Sequence, residues 1–177
     1  DSRIKSDEFA KIIADIFSAN GISVYLFEGL RPTPELSFAI RLLGCKSGVV
    51  VTASHNPKEY NGYKAYWTDG SQVVAPHDTN IINEVNAITS IDQVKFDGDA
   101  SKITKIGAEV DEKYIDHILS LSISKGALER QKDLKIVYTP LHGTGVTLVP
   151  QLLAKMGFEA VTLIEEQAEP KGNGQFP

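Results

Sequence analysis

One short strand constrains the fold of this chain more than any other feature. Val49 to Thr52 follows Gly48 and is predicted as a strand of continuous apolar character, and such a strand needs cover on both faces. Two segments with helical spacing of apolar residues precede it, separated by the β-rich run Ile22 to Phe27. The order helix, strand, helix, strand predicts an α/β fold in which these two strands pair in parallel through right-handed crossovers.

Cap and turn residues mark where several elements begin and end. Ser6 and Thr33 are predicted N-caps of the first two helices, and Asn20-Gly21 is a predicted left-handed C-cap of the first. Asp69-Gly70 predicts a hairpin whose second arm runs from Ser71 to Ala75.

A polar stretch divides the chain. Residues 89–107 are polar and mixed, which predicts a domain junction, and beyond them helix, strand (134–138), loop (139–145), helix and strand repeat the α/β pattern. The prediction is therefore α/β, with a three-layer α/β/α mixed-sheet domain at residues 1–108 and an incomplete second α/β domain of the same kind at 109–177. Because both ends read as loops, we expect a fragment that lacks the first strand of its first domain.

Composition excludes several functions. The net charge is −5 and no basic cluster is present, which argues against nucleic acid or an anionic membrane as a partner. No apolar run approaches the roughly 20 residues that a membrane-spanning helix needs. The single cysteine, Cys45, cannot form an internal disulfide, which favours a cytoplasmic location.

The residues after the apolar strand carry the chemistry. Ligands of open parallel sheets bind beyond the carboxyl ends of strands, and Ser54 lies just past such an end, where Asn56-Pro57 prevents helix formation. Its hydroxyl is a candidate nucleophile or phosphoryl carrier, and His55 and Lys64 could supply positive charge. The structural alternatives are a turn serine, a surface histidine and a solvated strand lysine.

A serine hydrolase is the obvious rival. Its nucleophile elbow needs small residues two places before and after the serine, where this chain has Thr52 and Asn56. The loop Leu141 to Gly145 comes about ninety residues later, whereas esterase oxyanion loops precede the nucleophile. That loop is either a turn whose N–H groups face an anion or a plain tight turn.

Residues 52 to 64, Thr-Ala-Ser-His-Asn-Pro-Lys-Glu-Tyr-Asn-Gly-Tyr-Lys, resemble the active-site serine loop of the α-D-phosphohexomutase family, which includes phosphoglucomutases and phosphomannomutases. The run Lys58 to Trp67 is more similar to the phosphoglucomutase branch that includes phosphopentomutase-like enzymes than to bacterial phosphomannomutases. Other segments add support: Asp1-Ser2-Arg3, Arg31-Pro32-Thr33-Pro34, Gly70-Ser71-Gln72, residues 139–145 and Phe176-Pro177.

The resemblance implies a mechanism. A phosphorylated Ser54 would pass its phosphoryl group to a hexose phosphate, and a hexose bisphosphate would reorient and return the other group. The reaction implied is reversible transfer between C1 and C6, with glucose 1-phosphate and glucose 6-phosphate as the leading pair. The phosphoserine would bind Mg²⁺ together with three aspartates of a second-domain D-x-D-x-D loop. Lys64 would lie near the transferring group, His55 would shape the site and Arg3 would lie near the serine loop.

The chain departs from the family pattern at the metal-binding aspartates. Asp97-Gly98-Asp99 lacks a third aspartate and precedes the second predicted domain, so we interpret it as a solvated linker. Ser54 is then the only family metal ligand in the chain, and we expect the aspartates in missing C-terminal domains. The fragment alone is expected to be inactive. The alternative is a non-catalytic fragment that binds a sugar phosphate or serves as a scaffold.

Overall fold

The computed structural model describes residues 1–168, and that part contains alternating helices and short strands. The helices are α1 Ser6–Ala19, α2 Thr33–Leu42, α3 His77–Asn86, α4 Ala108–Ser120, α5 Lys125–Arg130 and α6 Val149–Lys155. The strands are β1 Val24–Phe27, β2 Ser47–Val51, β3 Tyr63–Trp67, β4 Ile103–Ile106, β5 Ile136–Tyr138 and β6 Val161–Leu163. None of these helices has the length and apolar character to cross a membrane.

Strand pairing confirms the α/β class and corrects the predicted partners. β1 and β2 were expected to pair in parallel, but β1 pairs in parallel with β4, and β2 pairs antiparallel with β3. A third ladder joins β5 and β6 in parallel. The sequence pattern missed β4, and contacts between residues far apart in sequence select the strand partners.

Helices cover β2, as its apolar character predicted. Both α1 and α2 pack against this strand. Helix α2 lies so close that a Cβ atom on Gly48 would collide with the side chain of Ile40. Glycine at this position therefore allows close contact between helix and strand.

The predicted helix ends are partly correct. Gly21 has a φ of 83° after Asn20, as expected for a left-handed C-cap. The two N-caps are wrong by one position, because Ser6 and Thr33 are the first helical residues and neither preceding residue makes a side-chain cap. The Ser6 hydroxyl is instead buried and accepts a hydrogen bond from the Asn61 side-chain amide at 2.9 Å.

The polar stretch 89–107 is not simply a junction. It contains turns of 3₁₀ helix at Ile91–Gln93 and Ala100–Lys102 and ends in β4, which belongs to the ladder of β1. The hairpin at Asp69-Gly70 forms, with Gly70 at a φ of 79°. Its second arm is a single bridge between Tyr66 and Gln72 rather than a strand.

Helix α4 packs against α2 and so joins the two predicted domains. The ring of Phe38 on α2 lies 5.3 Å from the rings of Tyr114 and His117 on α4. Val110 of α4 is buried beside Ala39 and Ile106 in an apolar cluster. The boundary at residue 108 remains a prediction, although contacts continue across it.

A buried charge cluster lies at the same contact. Arg31 donates hydrogen bonds to both carboxylate oxygens of Asp111, at 2.6 and 2.8 Å. Glu35 is completely buried, and among residues 1–168 its carboxyl oxygens have no hydrogen-bond partner. Burial raises the pKa of Glu35 to about 8, and the nearby Asp111 carboxylate adds to the increase. Burial alone would also raise the pKa of Asp111, but hydrogen bonds from Arg31 hold it below its usual range.

Candidate active site

Ser54 lies on the loop between β2 and β3 and is exposed to solvent. Its φ is 59°, in the left-handed region that residues other than glycine seldom adopt. The Ser54 N–H donates to Oγ1 of Thr52 at 3.0 Å. The next turn closes through a bond from the Asn56 N–H to the Ala53 carbonyl at 3.1 Å. A hydrogen-bonded turn thus presents a hydroxyl just beyond the end of β2.

The guanidinium of Arg3 binds the backbone of this loop. One terminal nitrogen donates to the Ser54 carbonyl at 2.5 Å, and the other donates to the carbonyls of Asn56 and Pro57 at 2.5 and 2.8 Å. Nε donates to the Asp1 carboxylate at 3.0 Å. The side chain is only 10% exposed, so Arg3 reaches the serine loop from about fifty residues away in sequence and holds its shape.

Asp1 and Thr52 complete this network, although neither was predicted from the sequence as a site residue. The Thr52 hydroxyl donates a hydrogen bond to Oδ2 of Asp1, the same oxygen that accepts from Arg3. Oδ1 of Asp1 accepts from the Ser2 N–H at 2.5 Å. The D-x-R pattern was the available signal for Asp1, whereas Thr52 read as the last residue of a strand.

The far end of the loop is fastened to the start of α1. Asn61 donates to the Ser6 hydroxyl at 2.9 Å and to the Ile4 carbonyl at 3.3 Å. The Thr52 N–H donates to the Gly62 carbonyl at 2.9 Å, which extends the β2–β3 ladder. A Cβ on Gly62 would lie 2.8 Å from the Thr52 carbonyl oxygen. Glycine at position 62 therefore lets the two arms of the loop approach.

His55 and Lys64 lie near Ser54 in different ways. His55 is exposed and follows Ser54 in the same loop. Lys64 is half-buried on β3, opposite Val50 in the ladder. Within residues 1–168, no hydrogen bond joins either side chain to Ser54. Arg3 therefore contacts the serine loop through direct hydrogen bonds. His55 lies near Ser54 because it is the next residue, and Lys64 because β3 pairs with β2.

The loop 139–145 lies beside the segment that carries Arg3. The Ser2 hydroxyl donates to the His142 carbonyl at 3.2 Å. Within the loop, the Gly143 N–H donates to the Pro140 carbonyl at 2.5 Å, and the φ of His142 is 61°. The Gly143 N–H is thus used inside a tight turn, which favours the plain-turn interpretation at that residue.

Metal ligands are not gathered in the described part of the chain. In residues 1–168 no group of three histidine, cysteine, aspartate or glutamate side chains could hold a metal ion. Asp99 accepts from the Ser101 N–H at 3.0 Å, and hydrogen bonds from Ser101 hold its pKa below the usual range. The donor set does not fit a magnesium site by itself. The resemblance of Phe176-Pro177 lies outside the described residues.

The fold and the loop together define an α/β protein whose serine-bearing loop follows a strand and is fastened to the segment before the first helix. Sequence profiles agree with this class. The profile for phosphoglucomutase/phosphomannomutase, alpha/beta/alpha domain I, matches residues 1–92, and the profile for alpha/beta/alpha domain II of the same family matches residues 112–177. The chain belongs to the phosphoglucomutase/phosphomannomutase family.

Individual relatives support the same conclusion. A phosphoglucomutase of Staphylococcus haemolyticus (strain JCSC1435) is 38% identical over 169 residues, which is 96% of this chain and 31% of the relative. A phosphoglucomutase of Staphylococcus aureus (strain USA300) is 39% identical over 176 residues, with 98% and 31% covered. The chain therefore spans about a third of the length of these relatives.

Solved structures share the fold. A putative phosphomannomutase from Thermus thermophilus superposes with a TM-score of 0.72 at 27% identity, covering 99% of this chain and 38% of that one. The pp63/parafusin phosphoprotein of Paramecium, titled a phosphoglucomutase in its open form, gives 0.70 at 19% identity, covering 98% and 36%. The second likeness supports the fold alone.

Proposed function

We propose that the protein carrying this chain is a phosphohexomutase that works through Ser54. The observation that carries the proposal is an exposed serine in a left-handed conformation. It lies on a loop in which three backbone carbonyls accept hydrogen bonds from Arg3. Strained residues of this kind cluster at functional sites. Family membership supports the class of reaction.

In the proposed cycle, a phosphoserine at position 54 donates its PO₃ group to the free hydroxyl of a hexose monophosphate. The bond from phosphorus to the serine oxygen breaks while the bond to the sugar oxygen forms, and the sugar hydroxyl gives up its proton. The hexose bisphosphate reorients and returns its other phosphoryl group to Ser54, and the sugar oxygen left behind regains a proton. The net result is an isomerisation between C1 and C6 phosphates.

The proposed roles of the other side chains follow from charge and position. A phosphoserine carries about −1.5 to −2 charge near neutrality, so nearby cations stabilise the transfer. We assign Lys64 to the transferring group, where its ammonium can supply charge or a proton. His55 shapes the loop and adds a donor. Arg3 acts by positioning, because its guanidinium is already bonded to the loop and to Asp1.

The cofactor, substrate and location are also proposals. Mg²⁺ would neutralise phosphoryl charge, with the phosphoserine as one ligand and carboxylates from the rest of the protein as the others. Relatives named phosphoglucomutase favour glucose 1-phosphate and glucose 6-phosphate. The single cysteine, Cys45, favours the cytoplasm.

The test compares Ser54→Ala with Ser124→Ala in the full-length protein. Ser124 is exposed and makes no side-chain cap, so its variant is a matched control. We expect the purified protein to carry about 80 Da of added mass on Ser54, as a phosphoserine does. Ser54→Ala should lose conversion of glucose 1-phosphate, and Ser124→Ala should retain it. A Ser54→Ala variant that still isomerises at the normal rate refutes the proposal.

Three further outcomes bear on the proposal and its alternatives. Residues 1–177 alone, given glucose 1-phosphate, a bisphosphate primer and Mg²⁺, should yield no glucose 6-phosphate, because the described residues hold no complete metal site. Labelling of Ser54 by an organophosphonate probe would instead favour a hydrolase. Binding of sugar phosphate by the full-length protein without turnover would favour a non-catalytic role.

A further inference from the structure

Two side chains hold the backbone of Ser54, one at its N–H and one at its carbonyl, and both side chains are bonded to the same oxygen of Asp1. The left-handed conformation of Ser54 costs roughly 1–2 kcal/mol for a residue with a Cβ, so it needs support. The Ser54 N–H is bonded to the Thr52 hydroxyl at 3.0 Å, and the Ser54 carbonyl is bonded to Arg3 at 2.5 Å. Both supporting side chains also donate to Oδ2 of Asp1.

The Asp1 carboxylate also fixes the direction of the Thr52 hydroxyl. A hydroxyl has one proton to donate, and a carboxylate can only accept. Because the Thr52 proton points to Asp1, the lone pairs of its oxygen are left for the Ser54 N–H. The Asp1 side chain is only 14% exposed, and charge-assisted bonds in such surroundings are strong.

We propose that Asp1 and Thr52 are positioning residues for Ser54, which together hold it in the left-handed conformation that aims its hydroxyl at the transferring phosphoryl group. The assignment rests on the proposed function. Neither residue touches substrate in this scheme. Each acts through the Ser54 backbone, so its loss should slow the phosphoryl transfer more than it weakens substrate binding.

The experiment uses the full-length protein and a set of conservative variants. Thr52→Val keeps the shape of the side chain and removes the hydroxyl, whereas Thr52→Ser keeps the hydroxyl. Asp1→Asn keeps one acceptor oxygen and replaces the other by a donor. Ser47→Ala is the structural control, because the Ser47 hydroxyl donates to the Tyr66 carbonyl at 2.8 Å on the β2–β3 ladder.

We expect Thr52→Val and Asp1→Asn to lower kcat by roughly ten- to a hundredfold, the range for a small misplacement of a reacting group, with KM changed by less than about threefold. Thr52→Ser should restore most of the rate. Ser47→Ala should lower the melting temperature and leave kcat unchanged. Transfer from a hexose bisphosphate to dephosphorylated Ser54, followed by mass spectrometry, should slow in parallel with kcat.

The outcomes are separable. Full kcat in Thr52→Val and in Asp1→Asn, with Ser54→Ala inactive, overturns this inference and leaves the proposed function intact. Equal losses of kcat in Ser47→Ala and Thr52→Val also overturn it, because general destabilisation then accounts for the effect. If Thr52→Val does not fold, the other two variants decide. Full kcat in Asp1→Asn overturns the inference, whereas a lowered kcat in Asp1→Asn with most of the rate kept in Thr52→Ser supports it. Activity in Ser54→Ala overturns the proposed function itself.

Discussion

Replacing Glu35 by glutamine should remove a large pH dependence of stability. Glu35 is completely buried, and the Nε atom of Arg31 lies 3.8 Å from its carboxylate. Asp111 binds the same Nε atom at 2.6 Å, so the two carboxyl groups lie beside one guanidinium. Glutamine has nearly the same shape as a protonated glutamic acid and has no proton to lose, so the variant isolates the titration from the packing.

The magnitude follows from the pKa of Glu35, which burial raises from 4.5 to about 8. Between these values the folded chain keeps a proton that the unfolded chain has released, so a higher pH favours unfolding. The stabilising contribution is complete below the unfolded pKa and is lost as the pH rises through about 8. At about 1.4 kcal/mol per pH unit the total loss is about 5 kcal/mol, which is comparable to the whole stability of a small domain.

The assay is urea unfolding of the wild type and Glu35→Gln from about pH 5 to about pH 9, followed by circular dichroism. The difference between the two free energies of unfolding should move in favour of the variant by several kcal/mol toward alkaline pH. Asp111, whose pKa is lowered, contributes stability that is lost only in acid, so it does not interfere. Glu28→Gln is the control, because Glu28 is exposed and lies 3.8 Å from the same Arg31. Parallel curves for wild type and Glu35→Gln would refute the reasoning.

Two further predictions concern packing. Gly62→Ala should cost about 1–3 kcal/mol, because its Cβ would lie 2.8 Å from the Thr52 carbonyl oxygen; an unchanged melting temperature would contradict this. Ile115→Ala should cost about 2–5 kcal/mol in a urea titration, since Ile115 is 1% exposed. Ile123→Ala, at a position 98% exposed, should change nothing, and equal costs at 115 and 123 would show that burial does not set the energy.

Local chemistry made much of the fold predictable. Helical spacing identified α1, α2 and α4, and the turn residues Asn20-Gly21 and Asp69-Gly70 lie where they were expected. Strand partners were not predictable, because pairing depends on contacts far apart in sequence. β4 was missed for a related reason: Ile-Thr-Lys-Ile reads as polar linker until the ladder with β1 is known.

The sequence predicted where the serine loop lies, but it did not predict the hydrogen bonds that hold the loop in place. The pattern around Ser54 located the candidate nucleophile, and resemblance supplied its proposed chemistry. The bonds from Arg3 to the loop span about fifty residues of sequence, and no local rule indicates them. Asp1 was overlooked as a site residue although the D-x-R pattern includes it, and Thr52 was overlooked because a threonine at the end of a strand has no distinctive pattern.

The parallel pairing of β4 with β1 matters for anyone who divides this protein for expression. The domain I profile match stops at residue 92, yet β4 begins at Ile103. A truncation at residue 92 would remove the backbone hydrogen bonds between β4 and β1. The unpaired edge of β1 could then pair with other chains and promote aggregation. A fragment that ends after Ile106 retains the β1–β4 ladder, and it should be clearly more soluble than one that ends at residue 92.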